Sequence, residues 1–100
     1  MFVRWTEEAL ENLWEIETFI GRDNPKKAEA FVNSLIEKGE SVALNPRIGR
    51  RVPEISHPDF RELIVQTYRI VYRVHKKEIE ILTVFEGHKL ARLDELDPDS

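Results

Sequence analysis

The strongest constraint on this chain's fold is a change of hydrophobic period partway along it. Up to residue 45, apolar residues recur every three to four positions; from residue 61 onward they alternate. Spacing near 3.6 lines one stripe of a helix, whereas spacing of two lines one face of a strand. Neither half can adopt the other's geometry without turning its apolar residues to water. Helices followed by strands in this order predict the α+β class, with the helices on one face of an antiparallel sheet. At 100 residues the chain has room for a single domain, 1–100, ending in an acidic tail over 94–100.

Phe2 to Trp5 alternates and reads as a short N-terminal strand. Thr6 has the chemistry of an N-cap, and Glu7 and Glu8 place carboxylates where the helix dipole favours them. Ala9, Leu10, Leu13, Ile16 and Ile20 then share a helical face, flanked by Trp14 and Phe19. Glu17 falls at the stripe's edge, where it reaches water or pairs with an arginine. Asp23-Asn24-Pro25 closes this helix and starts the next: Asn24 suits a cap, and Pro25 suits the first helical position. Ala28, Phe31, Val32, Leu35 and Val42 share the second helix's buried face with Gly39, which predicts close approach by a neighbouring element. Asn45-Pro46 stops that helix. So short a connection between amphipathic helices implies an antiparallel helical hairpin.

Residues 47–59 read as a loop, with an extended piece possible near 51–54. Residues 61–66, 68–74 and 78–85 are rich in β-branched and aromatic side chains and read as strands. Two-residue turns at Gln66-Thr67 and Lys76-Lys77 pair Val65 with Tyr68, Leu63 with Ile70, and Arg61 with Tyr72. Across the second turn they pair Val74 with Ile79, Tyr72 with Ile81, Ile70 with Thr83, and Tyr68 with Phe85. That face must meet the helices, since a one-residue slip would scramble it. The opposite face then carries Ile64, Arg69, Val71, Arg73 and Leu82, with Glu62 and Val84 nearby, Arg73 beside Glu80 and no acid directly opposite Arg69. With both helices used on the first face, this patch is uncovered. It is either an interaction site or lies under the C-terminal segment, which has Leu90 and Leu93 to offer.

No stretch of 18 apolar residues exists, which excludes a spanning helix, and the opening residues lack a basic-then-apolar leader pattern. The expected compartment is the cytoplasm. With no cysteine, disulfides, thiolate metal sites and Cys nucleophiles are excluded. The three histidines lie far apart with no ligand spacing, so neither metal nor cofactor is expected. Net charge is −4, but residues 46–85 form a basic island of +3 containing six arginines, between acidic flanks. Such asymmetry bears on partners rather than fold.

Together these segments resemble the RelE/ParE toxins of bacterial type II toxin–antitoxin systems. The resemblance runs through Trp5-Thr6-Glu7-Glu8-Ala9, Asn45-Pro46-Arg47-Ile48-Gly49-Arg50-Arg51-Val52-Pro53-Glu54 and Arg61-Glu62-Leu63-Ile64-Val65. It continues in Tyr68-Arg69-Ile70-Val71-Tyr72-Arg73-Val74 and Ile79-Glu80-Ile81-Leu82-Thr83-Val84, and is strongest to the ParE branch. It implies an antitoxin partner, a small DNA-binding protein with a flexible segment, and a role in plasmid stabilisation and growth arrest. ParE-like members poison DNA gyrase by protein contact, whereas RelE-like and YoeB-like members cleave messenger RNA on the ribosome. A third possibility is a non-toxic relative that only binds an antitoxin. Neither membrane association nor direct sequence-specific DNA binding is implied.

The ribonuclease alternative can be weighed on its chemistry. Attack by a ribose 2′-oxygen needs a base, a cationic clamp and an acid. Glu54, by its Pro-Glu context, is the candidate base, Arg69 and Arg73 the clamp, and His88 the acid. The C-terminal tyrosine that such enzymes use is missing, since Tyr68 and Tyr72 are expected to face the core. Overall acidity also disfavours ribosomal RNA, whose binding gains from many cationic contacts. The expectation is therefore a gyrase-directed toxin acting without catalysis. Its candidate target contacts are Arg61, Arg69, Arg73, His88 and Arg92; its antitoxin site is Ile64, Arg69, Val71, Leu82 and Val84, with help from the helical hairpin. Structural roles compete for two arginines: Arg73 with Glu80, and Arg61 with a helix carboxylate such as Glu17.

Overall fold

A computed structural model describes residues 1–87 and Leu96. Strand β1 (Phe2–Trp5) leads into helix α1 (Glu7–Gly21), helix α2 (Pro25–Glu40) and a 3₁₀ turn (Ser41–Ala43). Strands β2 (Arg50–Arg51), β3 (Phe60–Val65), β4 (Tyr68–Val74) and β5 (Glu78–Glu86) follow. The sheet order is β1-β5-β4-β3-β2, with β1 parallel to β5 and every other pair antiparallel. The helical hairpin supplies the crossover that a parallel β1–β5 pair requires.

Local chemistry sets the helix ends as expected. The Thr6 hydroxyl accepts from the Ala9 N–H at 3.1 Å and donates to the Leu82 carbonyl, tying the cap to the sheet. The Asn24 side chain accepts from the Lys27 N–H at 3.1 Å, with Pro25 at the first helical position. The second helix ends earlier than its apolar spacing implies, tightening into the 3₁₀ turn after Glu40, yet Val42 remains fully buried. Close approach at Gly39 is real: a Cβ there would stand 2.6 Å from the Trp5 ring.

One core lies between hairpin and sheet. Ala9, Leu13 and Ile16 of α1 and Val32 and Leu35 of α2 meet Leu63, Ile70, Tyr72, Ile79 and Ile81. Full burial of each large aliphatic side chain is worth about 1.5–3 kcal/mol. Glu17 is exposed, at the stripe's edge.

The first hairpin has the expected register, from Val65↔Tyr68 to Arg61↔Tyr72, turning on Gln66 in the left-handed conformation (φ 55°). The second holds for Val74↔Ile79 and Tyr72↔Ile81, then slips by one at a bulge beside Val71/Tyr72. Beyond it Ile70 faces Val84, Arg69 faces Phe85, and Tyr68 faces Glu86. Val84 therefore belongs to the helix-side core, and Phe85 to the opposite face, the reverse of strict alternation. Asn12 of α1 stabilises the irregularity. Its side-chain oxygen accepts from both the Thr83 hydroxyl and the Val84 N–H, each at 2.9 Å.

That opposite face is also closed rather than open. Val52 and Ile55, from the loop after β2, pack with Phe60 and Val71 as a second buried cluster, joined by Leu82, Phe85 and Leu96. Val71 and Val84 are buried, Leu82 is partly buried, and only Ile64 among the apolar residues expected there is exposed. Leu90 and Leu93 lie outside the described residues.

Candidate functional site

The covered sheet face holds a cluster of charges. β3 places Glu62 diagonally across from Arg69 on β4, a separation that long side chains span easily. The Glu62 side chain has no exposure, so its carboxylate needs strong partners. Arg69 supplies them, donating from Nε to Glu62 Oε1 at 2.8 Å and from Nη2 to the same oxygen. Arg50 on β2 reaches the other oxygen through its Nε.

Arg69 uses its remaining donors on Glu54, which the loop brings over the face. Nη1 and Nη2 bond the two carboxylate oxygens at 3.0 and 2.8 Å, a parallel two-bond geometry. The guanidinium also lies 5.4 Å from the Phe85 ring centroid. These bonds hold the Glu54 carboxyl below the usual carboxylate range despite the opposing effect of burial. They raise Arg69 further in turn, Glu54 contributing most. The absence of an acid directly across the ladder from Arg69 was therefore misleading, because its partners are diagonal and loop-borne. Alternation puts Glu62 on this face without revealing its diagonal pairing with Arg69, and it gives no sign of the roles of Arg50 and Phe60.

The other candidates separate. Arg73 stands across from Glu80, as the register requires, but forms no ion pair with it. Glu80 bonds Arg4 at 3.0 Å and His75 at 2.9 Å. Burial pushes the Glu80 carboxyl up, and the bonds from His75 and Arg4 more than reverse this. Arg73 instead lays its Cζ 5.1 Å from the Phe60 ring centroid. Arg61 donates to the backbone carbonyls of Pro58 and Gly49, each at 3.2 Å, rather than to Glu17 or any other helix carboxylate. Tyr72 is buried in the core with its hydroxyl donating to the Pro46 carbonyl, and Tyr68 packs at the core's margin. His88 and Arg92 lie outside the described residues, so the structure brings Glu54, Arg69 and Glu62 together without them. Among the described residues no His, Cys, Asp or Glu cluster is arranged to hold a metal ion, and no helix is long and apolar enough to cross a membrane.

Exposed apolar side chains lie on β1 (Phe2), on α1 (Leu10, Trp14 and Phe19) and at the sheet's β2 end. Strand β2 pairs only with Arg61 and Glu62, so the outer edge of β3 from Leu63 to Val65 has no strand partner among the described residues. Ile64 is 47% exposed there and Ile48 60%. A groove of about 300 Å³ joins Ile48 and Ile64 to Lys38 and Arg50. Unpaired strand edges next to apolar side chains are receptive to another chain.

Comparison with known proteins places this architecture. Residues 3–90 match the family model described as the ParE toxin of the type II toxin–antitoxin system parDE. The chain is 34% identical over 91 residues to "Putative toxin Y4kP" of Sinorhizobium fredii (strain NBRC 101917 / NGR234), covering 87% of this chain and 88% of that one. A solved structure of the chromosomal ParDE system from P. aeruginosa superposes with a TM-score of 0.72 at 26% identity, covering 86% of this chain and 95% of that one. The RelBE2 toxin–antitoxin complex of Mycobacterium tuberculosis shares the fold, at 20% identity and a TM-score of 0.61, with coverage of 85% and 95%. On these matches, this chain belongs to the ParE toxin family of type II toxin–antitoxin systems.

Proposed function

We propose that this protein arrests growth by protein–protein contact with DNA gyrase, without catalysis, and that a cognate antitoxin neutralises it. The observation carrying this reading is the mutual engagement of Glu54 and Arg69. A general base must be free to take a proton near working pH, and a clamp must have donors to spare. Glu54 is held ionised by two bonds from Arg69, and Arg69 spends its donors on Glu54 and Glu62. The pair favoured for phosphoryl chemistry is thus occupied in fastening a loop to the sheet. This reading seats the antitoxin on the open β3 edge with Ile64 and Ile48, since Val71 and Val84 are buried, with help from the exposed Leu10, Trp14 and Phe19 of the helical hairpin.

The test is inducible expression with and without the antitoxin, combined with two assays on the purified chain. Growth arrest, loss of gyrase supercoiling and intact transcripts in a translation extract are the expected results. Cut transcripts with unaffected supercoiling would overturn the reading in favour of a ribosome-dependent ribonuclease. Absence of growth arrest would assign the chain to antitoxin-binding relatives without toxicity.

A further inference from the structure

Arg73 stands apart from the other arginines of the basic segment. Its Nε is buried and has no hydrogen-bond partner. Both carboxylates near it are already committed: Glu80 to Arg4 and His75, and Asp59 to Arg47 at 2.9 Å. The guanidinium Cζ stands over the Phe60 ring, 5.1 Å from its centroid. A buried charged donor left without an acceptor is costly, and such groups in native structures call for an explanation.

An open recess of about 320 Å³ adjoins the Arg73 side chain. Its lining includes Arg47, Arg73, His75 and Lys76, with Asp59 as the one carboxylate. Arg47 is paired with Asp59 and also donates to the Pro58 carbonyl, so the uncompensated charge of +2 sits on Arg73 and Lys76. The cations come from three places: the loop before β2, strand β4, and the β4–β5 turn.

We infer that this recess binds a single phosphate group, with Arg73 as its central ligand. A planar carboxylate is satisfied by two parallel bonds from one arginine, as Glu54 is by Arg69. Donors converging from separate segments suit the tetrahedral oxygens of a phosphate instead. One group is favoured over a nucleic-acid strand because the chain carries −4 overall, and polyanion binding requires many cationic contacts. The inference does not depend on the toxin reading above.

The test titrates inorganic phosphate into the full ¹⁵N-labelled chain at fixed ionic strength, with chloride as the comparator. The Arg73 Nε–H signal and the Val74 and Lys76 amides should shift saturably with phosphate and not with chloride. Arg73→Gln should raise the apparent Kd by roughly tenfold or more, read on the amides. Lys76 is exposed, so Lys76→Gln leaves the fold intact and should weaken binding by a smaller factor. A nucleoside 5′-monophosphate separates the sources: tighter binding than phosphate identifies an ester as the ligand, weaker binding free phosphate. Shifts no greater than those with chloride would overturn the inference. So would unchanged phosphate affinity in both variants, or acetate moving the same signals at lower concentration.

Discussion

Replacing Arg69 with methionine should destabilise the fold strongly, and the magnitude follows from what each carboxylate has left. Methionine keeps most of the side-chain stem over Phe85 but removes every donor. Glu54, whose side chain is 27% exposed, can turn to water. Glu62 cannot: its side chain has no exposure, and its remaining partner is Arg50, itself 60% exposed. Breaking a buried pair in this way costs about 3–5 kcal/mol. That is a large part of the roughly 5–15 kcal/mol that stabilises a domain. With a urea m-value of about 1–3 kcal/mol/M, the unfolding midpoint should fall by about 2 M. The second variant, Glu62→Leu/Arg69→Met, removes the stranded charge and should recover most of the loss, because apolar replacement of a buried pair is often neutral. A midpoint shift below about 0.3 M in Arg69→Met would refute the reasoning. So would a double variant no more stable than the single one, which would point to lost packing instead of a stranded carboxylate.

Three further outcomes test other parts of the design. Gly39→Ala should lower stability by about 1–3 kcal/mol in thermal unfolding, despite alanine's better helix propensity. The new Cβ would fall 2.6–2.7 Å from a Trp5 ring that a bond to Glu40 holds in place. Tyr72→Phe should cost about 1–3 kcal/mol, because the hydroxyl both accepts from the Gly49 N–H at 3.0 Å and donates to the Pro46 carbonyl at 2.8 Å. Hydrogen exchange should then show the Gly49 amide losing protection. Stability should also fall with acid: the Glu54 carboxyl is depressed by its bonds to Arg69, so its contribution is complete above the unfolded value of about 4.3 and is lost as pH falls through the lower folded value. In Arg69→Met that contribution is absent, so the gap between wild type and variant in urea titrations should narrow as pH falls below about 4.

The parts of the fold legible in the sequence are those set by short-range chemistry. Thr6 and Asn24 mark helix starts because their side chains satisfy a nearby backbone N–H. The β3–β4 register follows from a two-residue turn and faces that alternate cleanly. The β5 bulge was not legible: Ile81-Leu82-Thr83-Val84-Phe85 is apolar at every position but one, so alternation cannot say where the strand slips. What fixes the slip is distant in sequence, since Asn12 on α1 takes the Val84 N–H. The covered sheet face was missed for a related reason. Residues 47–59 have the proline and glycine content of a connector, and Val52 and Ile55 have no periodicity there to mark them as core.

The basic island takes on a different meaning once each arginine's partner is known. Arg69 and Arg50 neutralise Glu54 and Glu62, and Arg47 pairs with Asp59. Arg51 donates to the Ser56 carbonyl, and Arg61 to two backbone carbonyls within the same region. Three of the six arginines, Arg50, Arg61 and Arg69, thus fasten residues 46–59 onto β3 and β4, and Arg47 and Arg51 brace that stretch internally, where only the two-residue β2 orders it. A loop this long needs specific attachments to hold one conformation. Charge that looked like a surface for polyanions is mostly spent on partners within the chain, although Arg47, Arg50 and Arg51 remain exposed and only Arg69 is buried. Raising ionic strength should leave the buried Arg69–Glu62 attachment in place while weakening phosphate at Arg73, the one arginine of the basic island whose guanidinium has no hydrogen-bonded partner among the described residues.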